Sequence, residues 1–229
     1  VELLGANLSG VNLVGVDLSG ANLSNSNLSG ANLKDAILDN SKLYGADLTG
    51  AYLENTSFKK VDIKGAKFNG AYMMGINFEN MDLRNANLEG IHMQGQNFKG
   101  LDLTGINLQN AVLKDSSFEN SNLTNANLNS AYLNSANFKN ADMTNVSLSN
   151  ADLGAADLTN ANLKNAKIQN SFFKNAKIEN VIIDETITDS CFEQDLINRI
   201  ICKIKLELNP DSPPYETNFE FRDNYSLRD

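Results

Sequence analysis

A chain of 229 residues is long enough for one or two domains, and it contains neither an apolar run that would cross a membrane as a helix nor a basic-then-apolar secretory start. With one histidine and two cysteines the chain has little from which to build a histidine-dependent triad or a histidine-based metal centre, and no disulfide framework. A net charge of −9 disfavours nonspecific attraction to nucleic acid or to an anionic membrane surface.

The first element begins at Val1 and is a repeat. Read in fives, the chain runs VELLG, ANLSG, VNLVG, VDLSG, ANLSN, and the frame holds without insertion or deletion through residues 181–185, giving 37 blocks. The third position of every block is Leu, Phe, Ile or Met, and the first is mostly Ala or another small residue. Fourteen of the fifteen glycines occupy the fifth position, where Asn takes over from about Asn110. Positions two and four are polar. A period of five fits neither a helix nor a flat strand. It fits a chain that turns a corner in every block, with Gly or Asn supplying the positive φ that the third residue of a type II turn requires.

Four corners close a square coil of 20 residues, and two ladders support that number. Phe58, Phe78, Phe98, Phe118 and Phe138 recur at intervals of 20 in third positions. One residue further on, Asp39, Lys59, Glu79, Lys99, Glu119 and Lys139 alternate in sign at the same interval. Stacked at the usual inter-strand distance of about 4.8 Å, those charges become vertical neighbours of opposite sign. The expectation is an all-β solenoid of about nine coils over residues 1–185, a rod about 44 Å long.

The blocks ANLSG, ADLTG, ANLEG, LDLTG and ANLKN resemble the consensus of the pentapeptide-repeat proteins, over roughly four-fifths of the chain. That resemblance implies a right-handed quadrilateral β-helix. The family includes domains of secreted bacterial effectors and a branch that mimics DNA to occupy a topoisomerase.

The second element starts where the pattern fails, at Thr186. Phe192, Leu196, Ile197, Ile200, Ile201 and Ile204 recur at helical spacing, and Ser190 with Glu193 reads as a capping box. The expectation is a capping helix over 186–208 whose apolar stripe covers the last coil, or pairs two chains end to end. Residues 209–229 read as a tail or linker, polar but carrying Phe219, Phe221 and Tyr225. At the other end the repeat is already in frame at Val1, so the expectation is that a preceding segment was removed.

Nothing in the repeat assembles chemistry. His92 reads as a solvent-facing member of its block, and Asp62, Asp82 and Asp102 stack on one face because position two ordinarily takes Asn or Asp. A filled square core leaves no cleft. No catalytic residue, cofactor or metal is therefore assigned. One wall departs from the pattern: its second positions carry Tyr52, Tyr72, His92, Val112, Tyr132 and Phe172, with Met74 beside Tyr72. Aromatic residues concentrate at interface hot spots, although stacked rings can also serve the sheet itself.

The reading is a non-catalytic scaffold that binds another protein through this stripe, as a monomer or as a dimer through the C-terminal end. Composition points to the bacterial cytoplasm, the alternative being an effector secreted into a host cell. Two other functions compete. DNA mimicry of a gyrase substrate has weak support, since residues 1–185 carry 19 acidic and 14 basic side chains with alternating signs. The rod could also target an enzyme encoded outside this chain.

Overall fold

The computed structural model describes residues 1–78 and 81–184. The expected cap over 186–208, with its six apolar residues Phe192 to Ile204, and Glu79 of the charge ladder lie outside the described residues.

Each block folds into the same local unit. The amide of the following first position donates to the third-position carbonyl, as Ala6 does to Leu3 at 3.0 Å. Residues 3 to 6 thus form one β-turn with Gly5 in its third place. Every described fifth position from Gly5 to Asn180 has φ between 53° and 75°, the region where a Cβ is strained and Gly or Asn costs least.

Blocks 20 residues apart stack. Parallel bridges join Glu2 to Asn22, Asn7 to Asn27, Asn12 to Asn32 and Asp17 to Ile37, one on each of four walls. The third- and fifth-position amides donate to the next coil, Leu3 to Asn22 O and Gly5 to Ser24 O, both at 2.9 Å, while Asn22 N reaches back to Val1 O at 2.9 Å. The fourth amide is served within its own block. Ser9 N donates to Asn7 Oδ1 at 3.3 Å, and Ser19 N to Asp17 Oδ1 at 2.9 Å. Asn and Asp at position two are therefore turn acceptors, and a block of consensus type leaves none of its five amides unpaired.

First and third positions fill the interior. Ala21, Leu23, Ala31 and Leu33 are fully buried, as are most of their counterparts along the rod; removing each large side chain from water stabilises the fold by about 1.5–3 kcal/mol. Phe78, Phe98, Phe118 and Phe138 stack with centroid separations of 5.5, 4.8 and 4.9 Å. Phe58 instead meets Phe68 at 6.5 Å and a tilt of 56°. Fifth-position asparagines form ladders of their own: Asn140, Asn160 and Asn180 each donate from Nδ2 to the Oδ1 of the asparagine one coil before, at 3.0 to 3.2 Å.

The interior is bulkier across successive coils, where Ile76, Met81, Ile91, Gln96, Leu101 and Ile106 replace the small first-position residues. Extra volume in a close-packed core displaces the backbone, and here the bridges lapse. Asn77 and Asp82 make no bridge, and none joins Lys67 to Asn87. Three walls are interrupted. On the wall starting at residues 11–15, henceforth the third wall, the series Tyr52–Tyr72–His92–Val112 continues without a gap. Gln96, buried at this level, donates from Nε2 to Ile76 O, and its amide donates to Ser116 Oγ at 3.1 Å.

An aromatic wall as the candidate functional site

The sequence-predicted stripe is assembled on the third wall. Parallel bridges link Tyr52, Tyr72, His92, Val112 and Tyr132 in succession, and Asp152 then separates Tyr132 from Phe172. Tyr52 and Tyr72 stack at 5.1 Å with 7° between planes, and Tyr72 and His92 at 4.5 Å with 15°. Tyr52, Tyr132 and Phe172 are 47%, 56% and 51% exposed. Tyr72, His92, Val112 and Met74 are half-buried.

These side chains lack the short carbonyl that Asn or Asp aims at the fourth amide of its block. Five coils in succession give up that turn bond, worth about 0.5–1.5 kcal/mol where it is made. Within the stack, ring faces lie against one another, so the column presents edges and phenol hydroxyls outward. Edges and hydroxyls suit apolar side chains and hydrogen-bond acceptors. They do not suit ligands that stack on a ring face, such as nucleobases or sugar rings.

Sequence reasoning missed a second feature of this wall. Gly154 is the single glycine outside the turn position. A Cβ there would lie 3.2 Å from Asn134 Nδ2 and from Asp152 Oδ1, and 3.6 Å from Phe172 Cε1. Neighbouring side chains thus close in on Gly154, which lines a shallow open depression of about 530 Å³ together with Lys114, Asn134, Phe172 and Lys174 among others. The signal was available in the sequence as one glycine out of phase.

The charge ladder on the fourth wall is partly formed. Lys59 Nζ lies 4.0 Å from Asp39 and Lys99 Nζ lies 3.1 Å from Glu119. Lys139 turns to Asp157 at 3.3 Å, a carboxylate it shares with Lys177 at 3.6 Å. Asp157 is the more buried carboxylate there, and it gathers two ammonium groups instead of leaving one to the column.

The stacked aspartates are engaged locally. Asp82 receives both Nε and Nη2 of Arg84, at 2.8 and 2.7 Å. Those side-chain bonds, with the Arg84 amide, hold its carboxyl at about 2. Asp102 accepts the hydroxyl and the amide of Thr104, which lower its pKa. Among the described residues no group of three or more His, Cys, Asp or Glu side chains is placed to hold a metal ion, and no helix is long and apolar enough to cross a membrane.

None of the curated proteins matches this chain in sequence. Among solved structures, HetL, a pentapeptide repeat protein involved in heterocyst differentiation regulation in the cyanobacterium Nostoc sp. PCC 7120, is 27% identical, with a TM-score of 0.51 over 80% of this chain and 87% of HetL. A pentapeptide repeat protein from the Arabidopsis thaliana thylakoid lumen is 30% identical over 51% of this chain and 79% of its own, at a TM-score of 0.27. QnrB1, a plasmid-mediated fluoroquinolone resistance protein, is 18% identical over 81% of this chain and 92% of its own, at a TM-score of 0.33. The fold is the right-handed quadrilateral β-helix of pentapeptide repeat proteins such as HetL. Family models for pentapeptide repeats match residues 2–40, 41–80 and 76–115, and a pentapeptide repeat region matches 111–187. Matched from end to end of its repeat, the chain belongs to the pentapeptide repeat family.

Proposed function

We propose that this chain is a non-catalytic scaffold of about nine coils that binds another protein, in the bacterial cytoplasm, through the third wall. One observation carries the reading. Tyr52, Tyr72 and His92 form an outward stack at positions where Asn or Asp elsewhere serves the backbone, so the wall forgoes local hydrogen bonds in favour of an aromatic surface. The regulatory involvement of HetL, which this chain resembles over most of its length, is in keeping with a rod that works by contact. DNA mimicry draws less support, since the ion pairs Lys59–Asp39 and Lys99–Glu119 neutralise the fourth wall locally where a mimic needs one continuous sign.

Affinity capture with the full chain and with Tyr72→Asn/Tyr132→Asn tests this. Asn restores the turn acceptor, so the variant keeps its fold. A protein retained by the wild type and lost by the variant is the expected result. Equal retention by both would remove the aromatic wall from the function.

A further inference from the structure

One junction between coils differs from the rest. Where residues 61–80 meet residues 81–100, the bridge among the described residues is that of the third wall, Tyr72 to His92. Asp62 and Asp82, Lys67 and Asn87, and Asn77 and Asn97 stand at equivalent positions on the other walls without a bridge. A regular junction is bonded on every side. From the coil 21–40, Leu23 N reaches Lys42 O, Leu28 N reaches Asp47 O, Leu33 N reaches Tyr52 O and Leu38 N reaches Ser57 O, at 2.7 to 2.9 Å. Across the exceptional junction the backbone bonds gather at the third wall, Met73 N to His92 O at 2.9 Å and His92 N to Ala71 O at 2.8 Å. A longer one, Gly70 N to Glu89 O at 3.2 Å, lies at the corner leading into that wall.

The side away from the third wall carries a substitute. In regular coils a second-position amide donates to the first-position carbonyl one coil earlier, as Ser117 N does to Gln96 O and Asn137 N to Ser116 O, both at 2.9 Å. By that pattern Ile76 O would receive Asn97 N. It receives instead the side chain of Gln96, through Nε2. Gln96 is buried, and its own amide is held by Met93 O at 3.3 Å and Ser116 Oγ at 3.1 Å. A buried amide side chain thus satisfies the carbonyl that the interrupted ladder leaves open.

Stacked repeats are held together by their neighbour interfaces, so the rod opens first where an interface is weakest. We propose that this junction is a joint. The coils up to Ile76 and those from Asn87 onward form two units that part on the side of Asp82 and Asn97, with the Tyr72–His92 wall as the hinge and Gln96 as the latch. Opening there breaks Gly70 N to Glu89 O and the Gln96 bond, and leaves the third-wall bonds in place. At a regular junction, opening on the same side would break bonds on three walls. The joint does not depend on what the third wall binds.

Amide hydrogen exchange of the full chain, resolved residue by residue, tests the proposal. The Gly70 amide should exchange roughly tenfold or more faster than those of Met73 and His92 across the same junction, and faster than Leu33 and Leu123 within the two units. Gln96→Leu keeps the bulk and removes the donor. It should speed Gly70 roughly tenfold further while Leu33 and Leu123 stay unchanged. Gly70 exchanging in the wild type no faster than Met73 and His92 would overturn the joint. A Gln96→Leu chain that speeds all of these amides alike, or none of them, would overturn the latch.

Discussion

Tyr72 and His92 are stacked at 4.5 Å and bridged through their backbones, at the level where the other three walls lose their bridges. The aromatic wall is therefore also the spine that carries the stack across the overfilled interior. Tyr72→Ala removes ring contacts without restoring a turn acceptor, and should lower stability by about 1 kcal/mol. Tyr72→Asn should cost less, because its Oδ1 serves the Met74 amide. Urea denaturation of the two variants separates the stacking contribution from the turn bond. Equal losses would show that the acceptor contributes nothing here.

Acid should destabilise the rod. Burial opposes the ionised form of Asp157, yet bonds from Thr159 and Lys139 outweigh it and lower its pKa. The Thr49 hydroxyl and amide lower Asp47, and Arg84 holds Asp82 at about 2. A carboxyl whose folded pKa is depressed stabilises above its unfolded value and loses that contribution as pH falls through the folded value. The thermal midpoint should thus decline from about pH 4 toward pH 2. Asp47→Asn/Asp102→Asn, which keeps a neutral acceptor but removes the ionised carboxylates, should flatten that decline and lower the midpoint at pH 7 toward its acid value.

Ser41 is buried with its hydroxyl lacking a hydrogen-bond partner, at a position where Ala is the commonest residue. Ser41→Ala should stabilise the rod, by up to about 1 kcal/mol. Ser121, also buried, donates to Phe118 O at 2.7 Å. Ser121→Ala should therefore be neutral or destabilising, and thermal melts of the pair check the sign.

Ala155 holds φ at +56°, a region that strains an L-residue with no local hydrogen bond to offer. Ala155→Gly should raise stability by about 0.5–1 kcal/mol. The same substitution at Asn160, which donates to Asn140 at 3.0 Å, should lower it. A gain at both sites would deny the amide ladder any stabilising part.

The path of the backbone was legible because the repeat states it redundantly. Gly and Asn mark the corners, and the interval between Phe98 and Phe118 marks the coil length. What the sequence did not disclose depends on contacts across the coil or on choices between partners. Nothing in the period says that Phe58 will meet Phe68, half a coil away. Lys139 has an acid of the ladder beneath it, yet pairs with Asp157. The bulky first positions from Ile76 to Ile106 break the pattern of small residues, but nothing in them says that the third wall alone stays bridged. Polarity alone does not say that Asn at position two is a turn acceptor, as Asn7 is for Ser9 N. In the candidate site the stripe followed from the period, while the depression beside it depends on how Asn134, Gly154 and Phe172 meet across coils.

The block of five also acts as an address. Because each block makes one side and one corner, inserting a single extra block would leave every amide with an equivalent partner. It would turn all later side chains a quarter of the way around the axis. Such an insertion after Val112 would move Tyr132 and Phe172 to the neighbouring side and leave Tyr52, Tyr72 and His92 in place, dividing one aromatic column into two without altering a single side chain. In a rod of this kind, surfaces can be rewired by counting residues, and the absence of any such slip between Tyr52 and Phe172 is what keeps these rings in line.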